Sequence, residues 1–284
     1  MKPAPFDYIP AASVAEAVAA LAELGDGSKV LAGGQSLLPM MNFRLARPDA
    51  LVDIGGLGEL RGVQARERFI EVGALTRHLD LERTGVPGPL GSLLRSAGAQ
   101  VGHLPIRTRG TFGGSVAHAD PASEWCVLAA LLDATMTVTS LAGTRTVAAA
   151  DFFTTIFTTA LEPDELLTAV TLPRLDESYR VAVVEFARRA GDFAIVAVMV
   201  ACSVRNGVIG DARVCLGGVA DRPVRSLAAE SLLAGQPAGA AAFRAAADAA
   251  AAAVSPPADI HGSAGYRRDL VSVLLRRALE RMAP

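Results

Sequence analysis

Two glycine pairs, each with a hydroxyl residue beside it, are the parts of this sequence best suited to bind a ligand. The first lies in Ala32-Gly33-Gly34-Gln35-Ser36, directly after residues 29–32, which have the character of a short strand. Glycine permits positive φ and has no Cβ, so successive backbone N–H groups can converge on an anion. Ser36 adds a hydroxyl donor, and the amide of Gln35 can donate or accept. The segment predicts a phosphate-binding turn, with a plain turn as the alternative.

The second glycine pair lies in Thr111-Phe112-Gly113-Gly114-Ser115, after a stretch that contains Arg107 and Arg109. Two such loops favour a dinucleotide, because that ligand has two phosphates and two long arms to hold. Neither loop has the G-x-G-x-x-G spacing or the G-K-[ST] ending of the common nucleotide loops. The two loops together therefore indicate phosphate binding more strongly than either does alone.

Alternating helical and strand patterns would position these loops. Ser13 to Glu16 resembles a capping box that opens a helix, and Gly25 stands where a C-cap glycine belongs. A second unit begins at about residue 58. Strands are predicted at residues 29–32, 51–54, 69–72, 135–139, 144–148 and 165–172, and a helix at residues 90–99.

Two further predictions concern the segment between residues 102 and 132. The turn-forming residues from Gly102 to Gly114 predict a loop without regular structure. Pro121 is expected in the first turn of a helix capped by Asp120, which runs through Trp125 to about Leu132.

The last third has a different pattern, with long β-type runs followed by helices. Asn206-Gly207 lies between two of the runs and predicts a hairpin, because both turn positions need positive φ. The arginines of the last helix fall mostly off its apolar face, which indicates a solvated surface or a subunit contact. The runs are Val181–Arg189, Ile195–Arg205 and Val208–Val219; the helices are Leu227–Leu233, Ala240–Ala253 and Tyr266–Met282; the arginines are Arg267, Arg268, Arg276, Arg277 and Arg281.

Composition restricts the class of protein. With 284 residues, 51% hydrophobic residues and a net charge of -2, the chain can bury a large core and has no global charge that would favour nucleic acid. No apolar stretch is long enough for a membrane span, and no secretory signal is evident, so a cytoplasmic protein is expected. Cys126, Cys202 and Cys215 lie far apart, which indicates free thiols and no cysteine set for an iron–sulfur cluster.

The loops and several further segments resemble the FAD-binding medium subunit of the xanthine dehydrogenase and carbon monoxide dehydrogenase family of molybdenum hydroxylases. Residues 32–41 and 111–115 resemble its two flavin loops, and Arg44 to Pro48 with the following Leu-Val-Asp-Ile resembles the stretch after the first. Leu161 to Leu167 resembles the close of its second domain. Arg188 to Ala194 resembles a signature of its C-terminal domain. The likeness spans nearly the whole chain, with the motifs in order.

The resemblance implies an α+β fold. It would consist of a two-subdomain FAD-binding domain of the PCMH type, at residues 1–57 and 58–175, and a C-terminal domain of sheet and helices at residues 176–284. FAD would lie extended between the two subdomains and be bound without a covalent link.

The resemblance also implies roles for residues beyond the loops. Ala32 to Ser36 and Thr111 to Ser115 would surround the pyrophosphate. Glu124 corresponds to an acid that hydrogen-bonds the cofactor, Val101 and Leu167 to apolar flavin contacts, and Phe193 to an aromatic beside the isoalloxazine.

Three positions depart from the family pattern. Ser115 stands where Asn is common, Glu124 replaces a shorter Asp, and Phe193 lacks the hydroxyl of a tyrosine. Without the resemblance, Val101, Leu167 and Phe193 would be ordinary core positions, and Glu124 would suit a helix N-terminus. His118 is expected to have a structural or cofactor-adjacent role, because a flavin needs no separate catalytic base here.

The enzyme that the resemblance implies has three kinds of subunit, assembled as a dimer of heterotrimers. A large subunit would carry molybdopterin, a small subunit two [2Fe–2S] clusters, and this chain would pass electrons from them through FAD to an external acceptor. Two alternatives remain open: a stand-alone flavin oxidase with the same binding fold, and a non-enzymatic nucleotide-binding scaffold subunit. The sequence names no substrate.

Overall fold

The computed structural model describes residues 1–282 and begins with a small parallel sheet. The elements of this unit are β1 (Asp7–Pro10), α1 (Val14–Leu24), β2 (Ser28–Leu31), α2 (Leu37–Asn42) and β3 (Ala50–Asp53). The three strands lie in the order β1-β3-β2, with β3 parallel to both neighbours. Helix α1 begins where the Ser13 hydroxyl accepts the Glu16 N–H at 3.2 Å and ends at Gly25, whose φ is 57°. It buries Ala17, Val18 and Leu21, and the first glycine pair follows β2 as predicted.

The second unit is a five-stranded antiparallel sheet with helices packed against it. The strands of the sheet are β4 (Val63–Ala65), β5 (Phe69–Gly73), β6 (Thr135–Ser140), β7 (Gly143–Ala148) and β10 (Leu166–Pro173), in the order β4-β5-β10-β6-β7. A separate small hairpin is formed by β8 (Phe153–Thr155) and β9 (Thr158–Thr159). The helices are α3 (His78–Glu82), α4 (Gly88–Gln100), α5 (Leu104–Arg109), α6 (Phe112–His118), α7 (Glu124–Leu131) and α8 (Ala149–Phe152).

The third unit is a four-stranded antiparallel sheet that lies between two layers of helices. Its elements are β11 (Tyr179–Phe186), β12 (Val196–Arg205), β13 (Val208–Gly217), β14 (Val224–Arg225), α9 (Leu227–Leu233), α10 (Ala240–Ala253) and α11 (Ala264–Met282). Side chains alternate along β11: Val183 joins the core shared with the second unit, whereas Val184 joins the core under α9 to α11. One face of this sheet therefore packs on α4 and α7, and the other face on its own helices.

The α+β prediction and most of the predicted elements are confirmed. The hairpin is one, since Asn206 and Gly207 have φ of 51° and 76° between β12 and β13. The first predicted β-run of the last third is too long, because β11 ends at Phe186 and a turn follows.

The prediction of an irregular loop from Gly102 to Gly114 is wrong. The segment forms α5 and the start of α6, because Pro105 fits the first turn of α5 and Thr111 caps α6 by accepting the N–H of Gly114. Sequence patterns favoured a loop because glycines are rare inside helices. Glycine is required at position 113, because a Cβ there would lie only 2.5 Å from the Cβ of Ala74.

The expected start of the helix at Pro121 is also wrong. The carboxylate of Asp120 accepts the N–H of Ala122 at 2.8 Å, and its carbonyl oxygen accepts the N–H of Ser123 at 2.9 Å. These bonds close a turn, so that α7 begins only at Glu124.

The prediction that the arginines of the last helix lie on a solvated face fails for Arg267. Its side chain is buried and donates to the carbonyl oxygens of Ile195 at 2.5 Å and Gly218 at 2.9 Å, and it pairs with Asp259 at 2.7 Å. Helical periodicity cannot reveal carbonyl groups that distant loops leave without donors, and these groups account for the burial.

Candidate functional site

The first glycine pair needs its glycines because another segment of backbone lies against it. A Cβ on Gly33 would lie 2.3 Å from the carbonyl oxygen of Arg109 and 2.8 Å from the Cα of Gly110. Gly34 has a φ of 70°, which side chains other than that of glycine rarely adopt. The loop after β2 is therefore in direct contact with the segment that leads into the second glycine pair.

The amide groups of the first loop are available to a ligand. Within the part of the chain that the structure describes, the backbone N–H groups of residues 33–36 donate to no acceptor. The side-chain amide of Gln35 donates to the carbonyl oxygen of Gly33 at 2.9 Å, and the hydroxyl of Ser36 makes no capping bond to α2. Consecutive N–H groups without partners, with a hydroxyl beside them, are a donor set that suits a phosphate group.

The second glycine pair is held by the chain itself. The N–H groups of residues 112 and 113 donate to the carbonyl oxygens of residues 76 and 74, at 2.8 and 2.9 Å. Those of residues 114 and 115 donate to the hydroxyl and carbonyl oxygens of Thr111, at 3.1 and 3.0 Å. A Cβ on Gly114 would lie 3.7 Å from that of Ala32, so the two loops meet. The second loop is therefore held rigidly and its glycines allow the first loop to approach closely, whereas the N–H groups without acceptors belong to the first loop.

A buried histidine and the single tryptophan support the second loop, and sequence reasoning missed the role of both. The Nδ1 atom of His78 accepts the indole N–H of Trp125 at 2.9 Å, and both side chains are buried. The indole ring also meets the ring of Phe112 edge to face, with centroids 5.1 Å apart. A Cβ on Gly110 would lie 2.5 Å from His78 Nε2, so the imidazole fixes where this segment can run.

Burial keeps His78 neutral. Burial, followed by the nearby positive charges of Arg77 and Arg107, lowers the pKa of His78 to about 4. Because Nδ1 accepts the indole N–H, the neutral ring carries its proton on Nε2. In the sequence, the one feature that could have drawn attention to this pair is that Trp125 is the only tryptophan of the chain.

Ser115, on α6, contacts the residue that precedes Glu124, where α7 begins. The hydroxyl oxygen of Ser115 is 2.8 Å from that of Ser123, the residue before Glu124. The side chain of Glu124 is only 4% exposed, and burial, followed by the negative charge of Glu185, raises the pKa of Glu124 to about 8. The position predicted from the resemblance is therefore a buried acid that holds its proton at neutral pH.

Val101 and Phe193 lie beside a cleft between the second and third units. The cleft has a volume of about 440 Å³, and its lining includes Gly102, His103, Glu185 and Gly191. Val101 is buried next to this lining, and Phe193, two residues beyond it, is 61% exposed. An exposed aromatic ring this close in the chain to the lining of a cleft can stack on a planar ligand.

The other predicted residues are not all placed at the loops. Leu167 is buried in the core of the second unit, where β10 pairs with β6, and it makes no backbone hydrogen bond to either glycine loop. His118 stacks on Phe157, with ring centroids 4.9 Å apart, and burial lowers its pKa. A side chain packed in this way suits the expected structural role.

Comparison with protein families gives two consecutive matches. Residues 4–175 match the FAD binding domain in molybdopterin dehydrogenase, and residues 178–282 match the CO dehydrogenase flavoprotein C-terminal domain. The chain belongs to the FAD-binding medium subunits of the molybdenum hydroxylases. The family resemblance seen in the sequence is thus confirmed, as is the assignment to an oxidoreductase subunit.

Relatives match over the full length. The chain is 36% identical to the glyceraldehyde dehydrogenase medium chain of Sulfolobus acidocaldarius, over 100% of both chains. It is 38% identical to subunit alpha of the 6-hydroxypseudooxynicotine dehydrogenase complex of Paenarthrobacter nicotinovorans, over 98% of this chain and 95% of that one. Among solved structures, carbon monoxide dehydrogenase from Hydrogenophaga pseudoflava contains a chain with a TM-score of 0.96 and 36% identity, covering 99% of this chain and 98% of that one.

No helix among residues 1–282 combines the length and the apolar character that crossing a membrane requires.

Proposed function

We propose that this chain holds one non-covalent FAD and relays electrons from the [2Fe–2S] clusters of a small partner subunit to an external acceptor. The main support is the set of N–H groups at residues 33–36, which have no acceptor among the described residues. This loop is in contact with the segment that precedes α6. A diphosphate brings oxygen atoms with negative charge, which those donors would satisfy. When bound, a flavin supplies the exchange between one-electron donors and two-electron acceptors.

The remaining predicted residues have proposed places along the cofactor. The diphosphate would lie on Ala32 to Ser36, with Thr111 to Ser115 behind it. Val101 and Phe193 would flank the isoalloxazine in the cleft, Glu124 would hydrogen-bond the cofactor, and Leu167 would contribute an apolar contact. Residues 1–57 and 58–175 are proposed as the two halves of the FAD-binding domain, and residues 176–284 as the C-terminal domain.

The proposed complex contains a large molybdopterin-binding subunit besides the small iron–sulfur subunit, as a dimer of heterotrimers. Relatives carry names that refer to glyceraldehyde, carbon monoxide and caffeine. These three compounds differ in chemistry, although the relatives are all similar to this chain. The difference supports an arrangement in which the substrate binds to another subunit of the complex. The three cysteines are free and buried, which supports a cytoplasmic location for the complex.

Replacing Gly33 tests the site directly. Gly33→Ala places a methyl group 2.3 Å from a backbone carbonyl oxygen, so the first loop must move away from the segment before α6. We expect at least a tenfold loss of FAD affinity in the full chain, measured by flavin titration with the quenching of Trp125 fluorescence. Gly56→Ala is the matched control, because a Cβ there meets nothing within 4 Å. Equal affinities of the two variants would contradict the loop assignment.

The alternatives predict other results in the same preparation. A stand-alone flavin oxidase would turn over a substrate without partner chains, and flavin that stays attached after acid denaturation would support it. A scaffold subunit would bind no flavin and still assemble with its partners.

A further inference from the structure

Glu185 directs a carboxyl group into the interface between the sheet of the third unit and the second unit. Along β11 it lies on the same face as Val183, which packs toward α4 and α7, and opposite to Val184. Its Oε2 atom is buried and has no hydrogen-bond partner among the described residues. The same residue lines the 440 Å³ cleft. A carboxyl oxygen that is buried without a partner in the lining of a cleft is a costly arrangement unless the group is neutral.

Glu124, at the first turn of α7, is within electrostatic reach of this carboxyl, since a negative charge on Glu185 raises the pKa of Glu124. No hydrogen bond from another residue reaches the Glu124 carboxyl within residues 1–282. The two acids come from different units of the fold. They therefore form a carboxyl pair that only the docked units create.

The charged groups around the pair leave it without a dedicated cation. Arg107 on α5 is paired with Glu82 at 2.8 Å, and it also donates to the carbonyl oxygens of residues 101 and 102. Among the described residues no salt bridge to Glu124 or Glu185 is formed. The groups that face the pair are Asp120 before α7, His103 and Arg107 from the segment around α5, and Arg189 from the turn after β11.

Burial without a cation makes both acids weak. It raises the pKa of Glu185 to about 7, and burial together with Glu185 raises that of Glu124 to about 8. At neutral pH the pair therefore holds protons but stands close to losing one. Negative charge that enters the cleft would shift this balance strongly, because charges interact far more in a site shielded from water than in solution.

We propose that Glu185, electrostatically coupled to Glu124, takes up one proton from solvent when two electrons enter the group bound in the cleft. This rests on the proposed flavin function. The electrons come from the iron–sulfur clusters of the partner, and the proton comes from water and forms an O–H bond on the Glu185 carboxylate. No other co-reactant is consumed. The pair would thereby offset the added negative charge and favour the reduced state of the chain.

The test compares wild type with Glu185→Gln, each as the full chain loaded with FAD. Proton uptake per two electrons is measured with a pH-indicator dye during anaerobic reduction, at about pH 8 and about pH 5.5. Wild type is expected to take up close to one proton more than the variant at the higher pH, and the difference should vanish at the lower pH, where the carboxyl is already protonated. Glu177→Gln, which changes an exposed acid before β11, should behave as wild type.

A second measurement needs no variant. The reduced-minus-oxidised infrared spectrum of wild type at about pH 8 should gain a protonated carboxyl band. Flavin that binds normally, with equal proton uptake in wild type and Glu185→Gln or with no carboxyl band, would overturn the role of Glu185 alone. A wild-type chain that binds no flavin would overturn the proposed function and this inference with it.

Discussion

Glu124→Gln should make the flavin-free chain more stable at alkaline pH. Burial keeps this carboxyl protonated in the folded state, with a pKa of about 8 in place of the ordinary 4.5. The folded state thus holds a proton that the unfolded state releases, and stability falls as the pH rises from 4.5 toward 8. The glutamine amide matches the protonated carboxyl in size and does not ionise, so the variant escapes this loss.

The size of the effect follows from the shift. Each pKa unit corresponds to about 1.4 kcal/mol, so the gain is at most about 5 kcal/mol above pH 8 and about 3 kcal/mol at pH 7. The side chain is only 4% exposed, so water screens little of this cost. Near pH 4.5 both forms are neutral in the folded state, and the two proteins should have nearly equal stability.

Urea unfolding at about pH 5, 7 and 9 measures this difference, with the fluorescence of Trp125 as the signal. Trp125 follows Glu124 in the chain and is the only tryptophan, so the signal reports the unit that contains the acid. Glu23→Gln is the control, because it changes an exposed carboxyl on α1. Parallel stability curves for wild type and Glu124→Gln across this pH range would refute the reasoning.

Arg267→Ala is expected to destabilise the chain to urea by about 3–5 kcal/mol, because it leaves two buried carbonyl oxygens without a donor and Asp259 without its partner. Arg268→Ala changes the exposed neighbour and is the control. An equal loss of unfolding free energy in both variants would show that the buried contacts of Arg267 do not stabilise the chain. His78→Ala removes the acceptor of the Trp125 indole and should shift its emission and cost about 2–4 kcal/mol. The control is the exposed His261→Ala; unchanged Trp125 emission in His78→Ala would count against the hydrogen bond.

Local rules predicted the elements well, because the signals lie within a few residues. Ser13 and Gly25 mark the ends of α1, and Asn206-Gly207 makes the hairpin by its backbone preference alone. The same rules predicted a loop at residues 102–114. They failed there because Gly110 and Gly113 make room for His78 and Ala74, which are distant in the sequence. When those contacts are unknown, a helical segment that contains glycines has the sequence pattern of a loop.

The sequence predicted those parts of the candidate site that lie in a short motif, and it did not predict the parts that depend on tertiary contacts. The free amides of residues 33–36 follow from a glycine pair after a strand, which sequence can show. Arg267 was assigned to the surface and Glu185 was not singled out, because a charged residue in a sequence is exposed more often than not. Their burial depends on what the tertiary fold places opposite them, and no pattern within α11 or β11 contains that information.

The position of Glu124 depends on the C-terminal unit at both ends of α7. Before the helix, the N–H of Gly218 donates to the carbonyl oxygen of Pro121 at 3.0 Å. After it, the guanidinium of Arg225 donates to the carbonyl oxygens of residues 130 and 131, which end the helix, and pairs with Asp133 at 2.8 Å. Helix α7 also carries Trp125, which packs on the second glycine loop. The C-terminal unit therefore helps to set the geometry of the cofactor loops as well as supplying Glu185, and removing it should disturb both the loops and the cleft.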